Sequence, residues 1–263
     1  MRQLRAMVAK PSLFLQRALR PLLLALLAGC APVPVHNPIA HWVPSPNFDQ
    51  RRPVLIVLHY TAEDSAQQAL QTLRTQNSGG PVSSHYLIGN DGRIDQLVDD
   101  SQRAWHAGAG RWGTITDVNS ASIGIELDND GHSPFPQVQI DKLLDLLADL
   151  TDRWRIPRTQ VIGHEDLAPG RKIDPGPLFP WQQLANAGFG LWPRVPLVDP
   201  PADFDPWAAL GLIGYPLTGF PWDNRAAVVR SFHHHFRGMD GDTLDAQDLR
   251  VLYALARQLG AGS

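Results

Sequence analysis

The run Val54-Leu55-Ile56-Val57-Leu58 is continuously apolar and of strand length, and it ends in His59. Such a strand suits burial on both faces, in the interior of a sheet covered by helices. The rest of the chain supplies both kinds of element. Ala66, Ala69, Leu70 and Leu73 fall at helical spacing within 65–76. Residues 84–88 and 93–98 flank Asn90-Asp91-Gly92, which predicts a hairpin. Ser122-Ile123-Gly124-Ile125-Glu126-Leu127 reads as a further strand, and 159–163 as a short one. Between them Ile140, Leu143, Leu144, Leu147, Leu150 and Trp154 mark a strongly amphipathic helix. Strands and helices mix without strict alternation, so the expected fold class is α/β, a mixed β-sheet with packed helices. A stretch rich in Pro and Gly, 175–201, closes this domain, which is placed at 53–200. A second unit at 201–263 reads as a small domain of three helices: one around Trp207 and Leu210, one at 225–236, and a last one through Leu249, Leu252, Leu255 and Leu259.

Charge is unevenly distributed. Residues 1–29 carry Arg2, Arg5, Lys10, Arg17 and Arg20 and no acid, so the remainder is more acidic than the net −3 of the whole chain. A chain of that sign is a poor nucleic-acid binder, because phosphate recognition needs clustered Lys and Arg. Hydrophobic residues at 43% and charged residues at 19% exclude a disordered chain and a multi-span membrane protein. The basic start, the apolar run from Leu22 to Leu27 and the small residues Ala28 and Gly29 describe a secretory signal too short to span a bilayer. Cys30 is the only cysteine, which excludes an internal disulfide, and it stands where a lipobox would place it. The expectation is a lipoprotein signal at 1–29, lipidation of Cys30, and a Pro-rich tether at 30–52, the alternative being a plain cleaved signal. A tether of about 20 residues reaches on the order of 25 Å as a flexible coil.

Position sorts the ten histidines. His59 ends the buried strand, and His164 ends the strand at 159–163, where α/β folds present functional side chains. Asp174 follows ten residues later. Taken singly, a strand-end histidine is more often structural. Two imidazoles and one carboxylate together make a zinc site with three protein ligands and an open fourth position, the mark of a catalytic centre. His233, His234 and His235 are expected to be polar surface and packing, because consecutive helical side chains point about 100° apart and cannot converge on one ion. His36, His41 and His132 receive no role.

Five segments then carry a resemblance, in order, over about residues 50–185. They are Leu58-His59-Tyr60-Thr61, Ser84-His85-Tyr86-Leu87-Ile88, Ala104-Trp105-His106-Ala107-Gly108, Ser122 to Leu127, and Gly163-His164-Glu165-Asp166 with Gly170-Arg171-Lys172-Ile173-Asp174-Pro175-Gly176. Together they resemble the AmpD-like zinc-dependent N-acetylmuramoyl-L-alanine amidases, whose domain is shared with peptidoglycan recognition proteins. The lipobox and the C-terminal unit resemble the outer-membrane lipoprotein branch of that family. The resemblance implies His59, His164 and Asp174 as ligands of Zn2+, Glu126 as the catalytic acid–base group, and Lys172 as a cation at the scissile carbonyl. It also implies Trp105, His106 and Arg171 along the substrate cleft, with His85 lining the cleft or backing a ligand. The C-terminal unit resembles a peptidoglycan-binding domain, or is a helical appendage packed on the amidase. The implied partners are peptidoglycan and its muropeptides, with the membrane reached through the lipid on Cys30. The implied location is the outer membrane, facing the periplasm.

These residue types suit amide hydrolysis independently. Zinc lowers the pKa of a bound water to about 7, a carboxylate can shuttle its proton, and an ammonium can stabilise an oxyanion. Two other readings remain open at this point: a lipid-anchored receptor that holds the wall without cutting it, and a zinc endopeptidase acting between stem residues.

Overall fold

The computed structural model describes residues 36–47, 52–218 and 224–260. The expected signal and Cys30 lie outside the described residues. In chain order the strands are β1 (His41–Trp42), β2 (Leu55–Tyr60), β3 (Gln76–Asn77), β4 (Gly80–Pro81), β5 (Tyr86–Ile88), β6 (Ile94–Gln96), β7 (Ser122–Leu127) and β8 (Val161–Gly163). The helices are α1 (Ala66–Leu73), α2 (Val118–Ala121), α3 (Gln137–Trp154), α4 (His164–Leu167), α5 (Trp181–Asn186), α6 (Pro206–Ile213), α7 (Arg225–Arg237) and α8 (Ala246–Gly260).

Six strands form one sheet in the order β1-β6-β5-β7-β2-β8, while β3 and β4 make a separate ribbon. Every neighbouring pair in the sheet is parallel except the β5–β6 hairpin. The mixed sheet expected from the sequence is therefore present. The continuous apolar run forms β2, flanked by β7 and β8. Its side chains alternate between two cores. Ile56 and Leu58 pack with Ile123 and Ile125 against Ile140, Leu143, Leu147 and Leu150 of α3. Leu146 is also fully buried there, whereas Leu144 lies only partly in the core.

Leu55 and Val57 face the other way, into a core that also contains Leu210, Phe232 and Leu252. The helices α6, α7 and α8 thus share one hydrophobic cluster with the sheet, and the chain from His36 onward forms one compact unit. Local chemistry sets the ends of these helices. The Asp205 carboxylate accepts from the Trp207 and Ala208 amides, with Pro206 in the first turn of α6. The Asn224 side chain caps α7, and Gly238 ends it in a left-handed conformation at φ 58°.

Part of the expected tether is not extended chain. Residues 36–47 dock on the sheet edge: β1 pairs with β6, the Val43 amide donates to the Gln96 carbonyl, and buried Asn37 donates to Asp149 at 2.8 Å. The strand edge of β6 offers unpaired backbone groups, and these residues satisfy them. Among the described residues no helix is long and apolar enough to cross a membrane.

Candidate metal centre and active-site cleft

His59 lies near the C-terminal end of β2, on the same face as Leu55 and Val57. The parallel register sets Glu126 of β7 directly beside it, and Leu58 beside Gly163 at the end of β8. His164 is the first residue of α4, so two adjacent parallel strands deliver two imidazoles to one point. The loop after α4 returns Asp174, whose carbonyl accepts the Glu165 amide at 2.9 Å. His59 Nδ1 and His164 Nδ1 are 2.9 Å apart, and each is 3.0 Å from Asp174 Oδ2. All three side chains are buried.

The hydrogen bonds behind the rings assign their tautomers. The Ser122 hydroxyl donates to the Val118 carbonyl at 2.6 Å, so its oxygen is left to accept from His106 Nε2 at 3.2 Å. His106 Nδ1 then accepts from His59 Nε2 at 3.0 Å, and His59 Nδ1 keeps its lone pair. His164 Nε2 donates to the Ala107 carbonyl at 2.8 Å, and its Nδ1 likewise keeps a lone pair. Three acceptors therefore converge without a proton among them, a donor set that calls for a cation. Burial, followed by the charge of His164, lowers the His59 pKa to about 4, which keeps its imidazole neutral. Burial alone would raise Asp174, but its interactions with His164 and His59 outweigh that and hold it far below the usual carboxylate range. The group could hold a metal ion.

A cavity of about 520 Å³ opens over this group, lined also by Trp105, His106, Glu126, Arg171 and Lys172. The expected ligand, catalytic and substrate residues therefore border one cleft, and His85 does not. Glu126 is half-buried, and its Oε2 has no hydrogen-bond partner among the described residues. Burial, then the charge of Asp174, pushes its carboxyl well above the ordinary range, with Lys172 opposing. Two of the expected cleft residues also back the converging histidines. His106 hydrogen-bonds His59, and Arg171 Nη2 donates to the Ala107 carbonyl at 2.7 Å, the same oxygen that receives His164. The Trp105 amide donates to Ser83 Oγ at 2.9 Å. His85 backs the strand: its Nδ1 accepts the Gly124 amide at 3.0 Å.

The histidine triplet requires a correction. His233, His234 and His235 are buried, not polar surface, because they project on different sides of α7 and meet α8, α4 and α5 in turn. As expected, they do not converge on one point. They reach four carboxylates: His233 meets Asp248 at 2.8 Å, His234 meets Glu165 and Asp240 at 2.8 Å each, and His235 meets Asp166 at 2.7 Å. Reading the sequence missed these partners and Ser122. Only the acids beside His164 and the histidines themselves were visible signals, and nothing local pairs residues 69 positions apart.

Known proteins are similar to this chain in sequence and fold. The family model described as N-acetylmuramoyl-L-alanine amidase matches residues 49–177. The N-acetylmuramoyl-L-alanine amidase AmiD of Escherichia coli is 37% identical over 235 residues, 78% of this chain and 83% of that one. A 1,6-anhydro-N-acetylmuramyl-L-alanine amidase AmpD from Enterobacter cloacae is 33% identical over 164 residues, 55% of this chain and 88% of its own length. The solved structure of E. coli AmiD with the substrate anhydro-N-acetylmuramic acid-L-Ala-D-gamma-Glu-L-Lys superposes with a TM-score of 0.66 at 33% identity, covering 88% of this chain and 93% of that one. With its two strand-end histidines and returning aspartate set in the matched segment, this chain belongs to the N-acetylmuramoyl-L-alanine amidase family.

Proposed function

We propose that this amidase is zinc-dependent and hydrolyses the amide joining the lactyl group of N-acetylmuramic acid, or its anhydro form, to L-Ala of the peptidoglycan stem peptide. The observation that carries the reading is the buried triangle of His59, His164 and Asp174 with Glu126 beside it in one cleft. His59, His164 and Asp174 would hold the zinc, which when bound supplies Lewis acidity for activating water and polarising the amide carbonyl. Glu126 takes the proton from the attacking water and returns it to the leaving amine. Its raised pKa suits both halves of that task, since a carboxylate that is too acidic cannot return a proton efficiently. Lys172, on the cleft wall, offers positive charge to the oxyanion that develops as the amide carbonyl is attacked. His106 and Ser122 hold the tautomer of His59, and Trp105 and Arg171 border the space for the sugar and peptide.

Digestion of whole sacculi and of anhydro-muropeptides, followed by mass spectrometry, tests the reading. The expected products are a free lactyl carboxylate and a peptide beginning with L-Ala. Cuts between stem residues would make the chain an endopeptidase, and retention of wall without products would make it a receptor.

The lipobox around Cys30 supports a lipid anchor in the outer membrane, facing the periplasm. Ala31 follows the cysteine, which by resemblance to Gram-negative lipoprotein sorting favours that membrane. Because residues 36–47 are docked, the span free to act as a tether is shorter than composition implied. Fractionation of cells expressing wild type and Cys30→Ala checks this. Wild type recovered as a soluble protein with an unmodified N-terminus would sink the anchor and leave the amidase standing.

A further inference from the structure

Asp166 is the third residue of α4, two positions after the ligand His164, and its side chain is wholly buried. Its carboxylate receives four hydrogen bonds. Oδ2 accepts from the Gly163 amide at 2.8 Å and from His235 Nδ1 at 2.7 Å. Oδ1 accepts from the Tyr215 hydroxyl at 2.8 Å and the Ser231 hydroxyl at 3.0 Å. Three of these four donors lie beyond residue 177, where the match to the family model ends. Beside it, Glu165 Oε2 meets His234 Nδ1 at 2.8 Å, and His234 Nε2 meets Asp240 at 2.8 Å. The His235 ring lies flat on Trp181, with centroids 3.8 Å apart and planes 8° from parallel.

The turn held in this way is the one that carries the ligands. The Glu165 amide donates to the Asp174 carbonyl, so movement of α4 shifts His164 and Asp174 together. There is little slack at its start. A Cβ at Gly163 would stand 2.8 Å from Pro175 Cδ and 3.3 Å from both Asp166 Oδ2 and the Trp181 ring. A buried carboxylate that loses a donor must rotate or admit water, and either response pulls on the Gly163 amide and the turn.

We propose that the C-terminal helices position the metal centre: Tyr215, Ser231 and His235 hold Asp166, and Asp166 holds the α4 turn that sets His164 against Asp174. The proposal rests on the metal-site reading above. Tyr215, Ser231 and His235 act through Asp166 and are positioning residues.

The test uses the full chain, with Tyr215→Phe, Ser231→Ala, His235→Ala and His235→Asn. Four quantities are measured: the zinc Kd by chelator competition, the visible spectrum of the cobalt-loaded protein, the melting temperature of the metal-free protein, and kcat with KM. The double variant Tyr215→Phe/Ser231→Ala is expected to weaken zinc binding about tenfold, the low end for groups that orient a metal ligand from outside, and to shift the cobalt bands. His235→Ala behaves alike. His235→Asn regains zinc affinity, because its amide nitrogen lies where Nδ1 donates, yet keeps a lowered melting temperature because the stack on Trp181 is gone. kcat falls more than KM rises in each weakened variant. Folded variants whose melting temperature drops while zinc Kd and cobalt spectrum match wild type would overturn the proposal and leave packing as the only role. If His235→Ala does not fold, Tyr215→Phe decides alone, since it removes a single oxygen. Wild type that fails to bind zinc would overturn the metal-site reading, and the proposal with it.

Discussion

Glu126 combines a place beside the proposed metal site with an unfavourable environment. It borders the cleft beside His59, with Oε2 unpartnered among the described residues and its pKa pushed up by burial and by Asp174. Glu126→Gln should keep zinc and lose roughly 10²–10⁴-fold in turnover. A loss below about tenfold would move the role to another residue. The same shift has a thermodynamic sign. A carboxyl whose folded pKa is raised favours the folded state below its ordinary value, and that contribution is lost as pH rises through the raised one. Metal-free Glu126→Gln should therefore melt higher than wild type at neutral pH, with the difference vanishing near pH 4.5. His164→Ala should lose metal and activity together while remaining folded; stoichiometric zinc in that variant would remove His164 from the ligand set.

Strand β7 does two jobs at once. Its even positions face the site, with Ser122, Gly124 and Glu126 opposite Leu55, Val57 and His59. Gly124 is required by contact, not by backbone conformation, because a Cβ there would stand 2.4 Å from Cγ of His106. Gly124→Ala should therefore displace His106, break its bond to His59 Nε2, and weaken zinc binding by about ten- to a hundredfold. Chelator competition measures this, and an unchanged zinc Kd would show that His106 does not orient His59. Ser122→Ala, which removes only the acceptor behind His106, should act in the same direction and less strongly.

At the scale of the molecule, the C-terminal helices complete a core that the sheet begins. Phe232 is fully buried in one cluster with Leu55, Val57 and Ile162 and with Leu210, Leu252 and Leu255 of the C-terminal helices. Phe232→Ala should cost about 3–5 kcal/mol, as for other large-to-small core changes. The loss should appear as one cooperative transition in calorimetry, because the cluster spans both parts. Two resolved transitions, with the loss confined to one, would show the helices folding independently of the sheet. Such a shared core also gives the buried pairs of α7 with Glu165 and Asp166 a fixed frame.

Much of this was legible from local pattern. Burial on both faces of β2, the apolar stripe of α3 and the strand-end placement of His59 and His164 follow from periodicity, since a side chain's face depends on its neighbours in sequence. Recurrence of the family's segments in order, with Asp174 ten residues after His164, pointed to the residues that the fold gathers in one cleft. Other features were decided only by packing. Residues 36–47 read as tether by composition, yet they satisfy a sheet edge that no local rule locates. The histidine triplet read as polar surface and packing, yet its rings are buried on carboxylates brought to them by the docking of α7 against α4 and α8. A hydrogen bond between elements depends on where two helices come to rest against each other. That placement is set by the shape of the whole core, so periodicity along one segment carries no record of it.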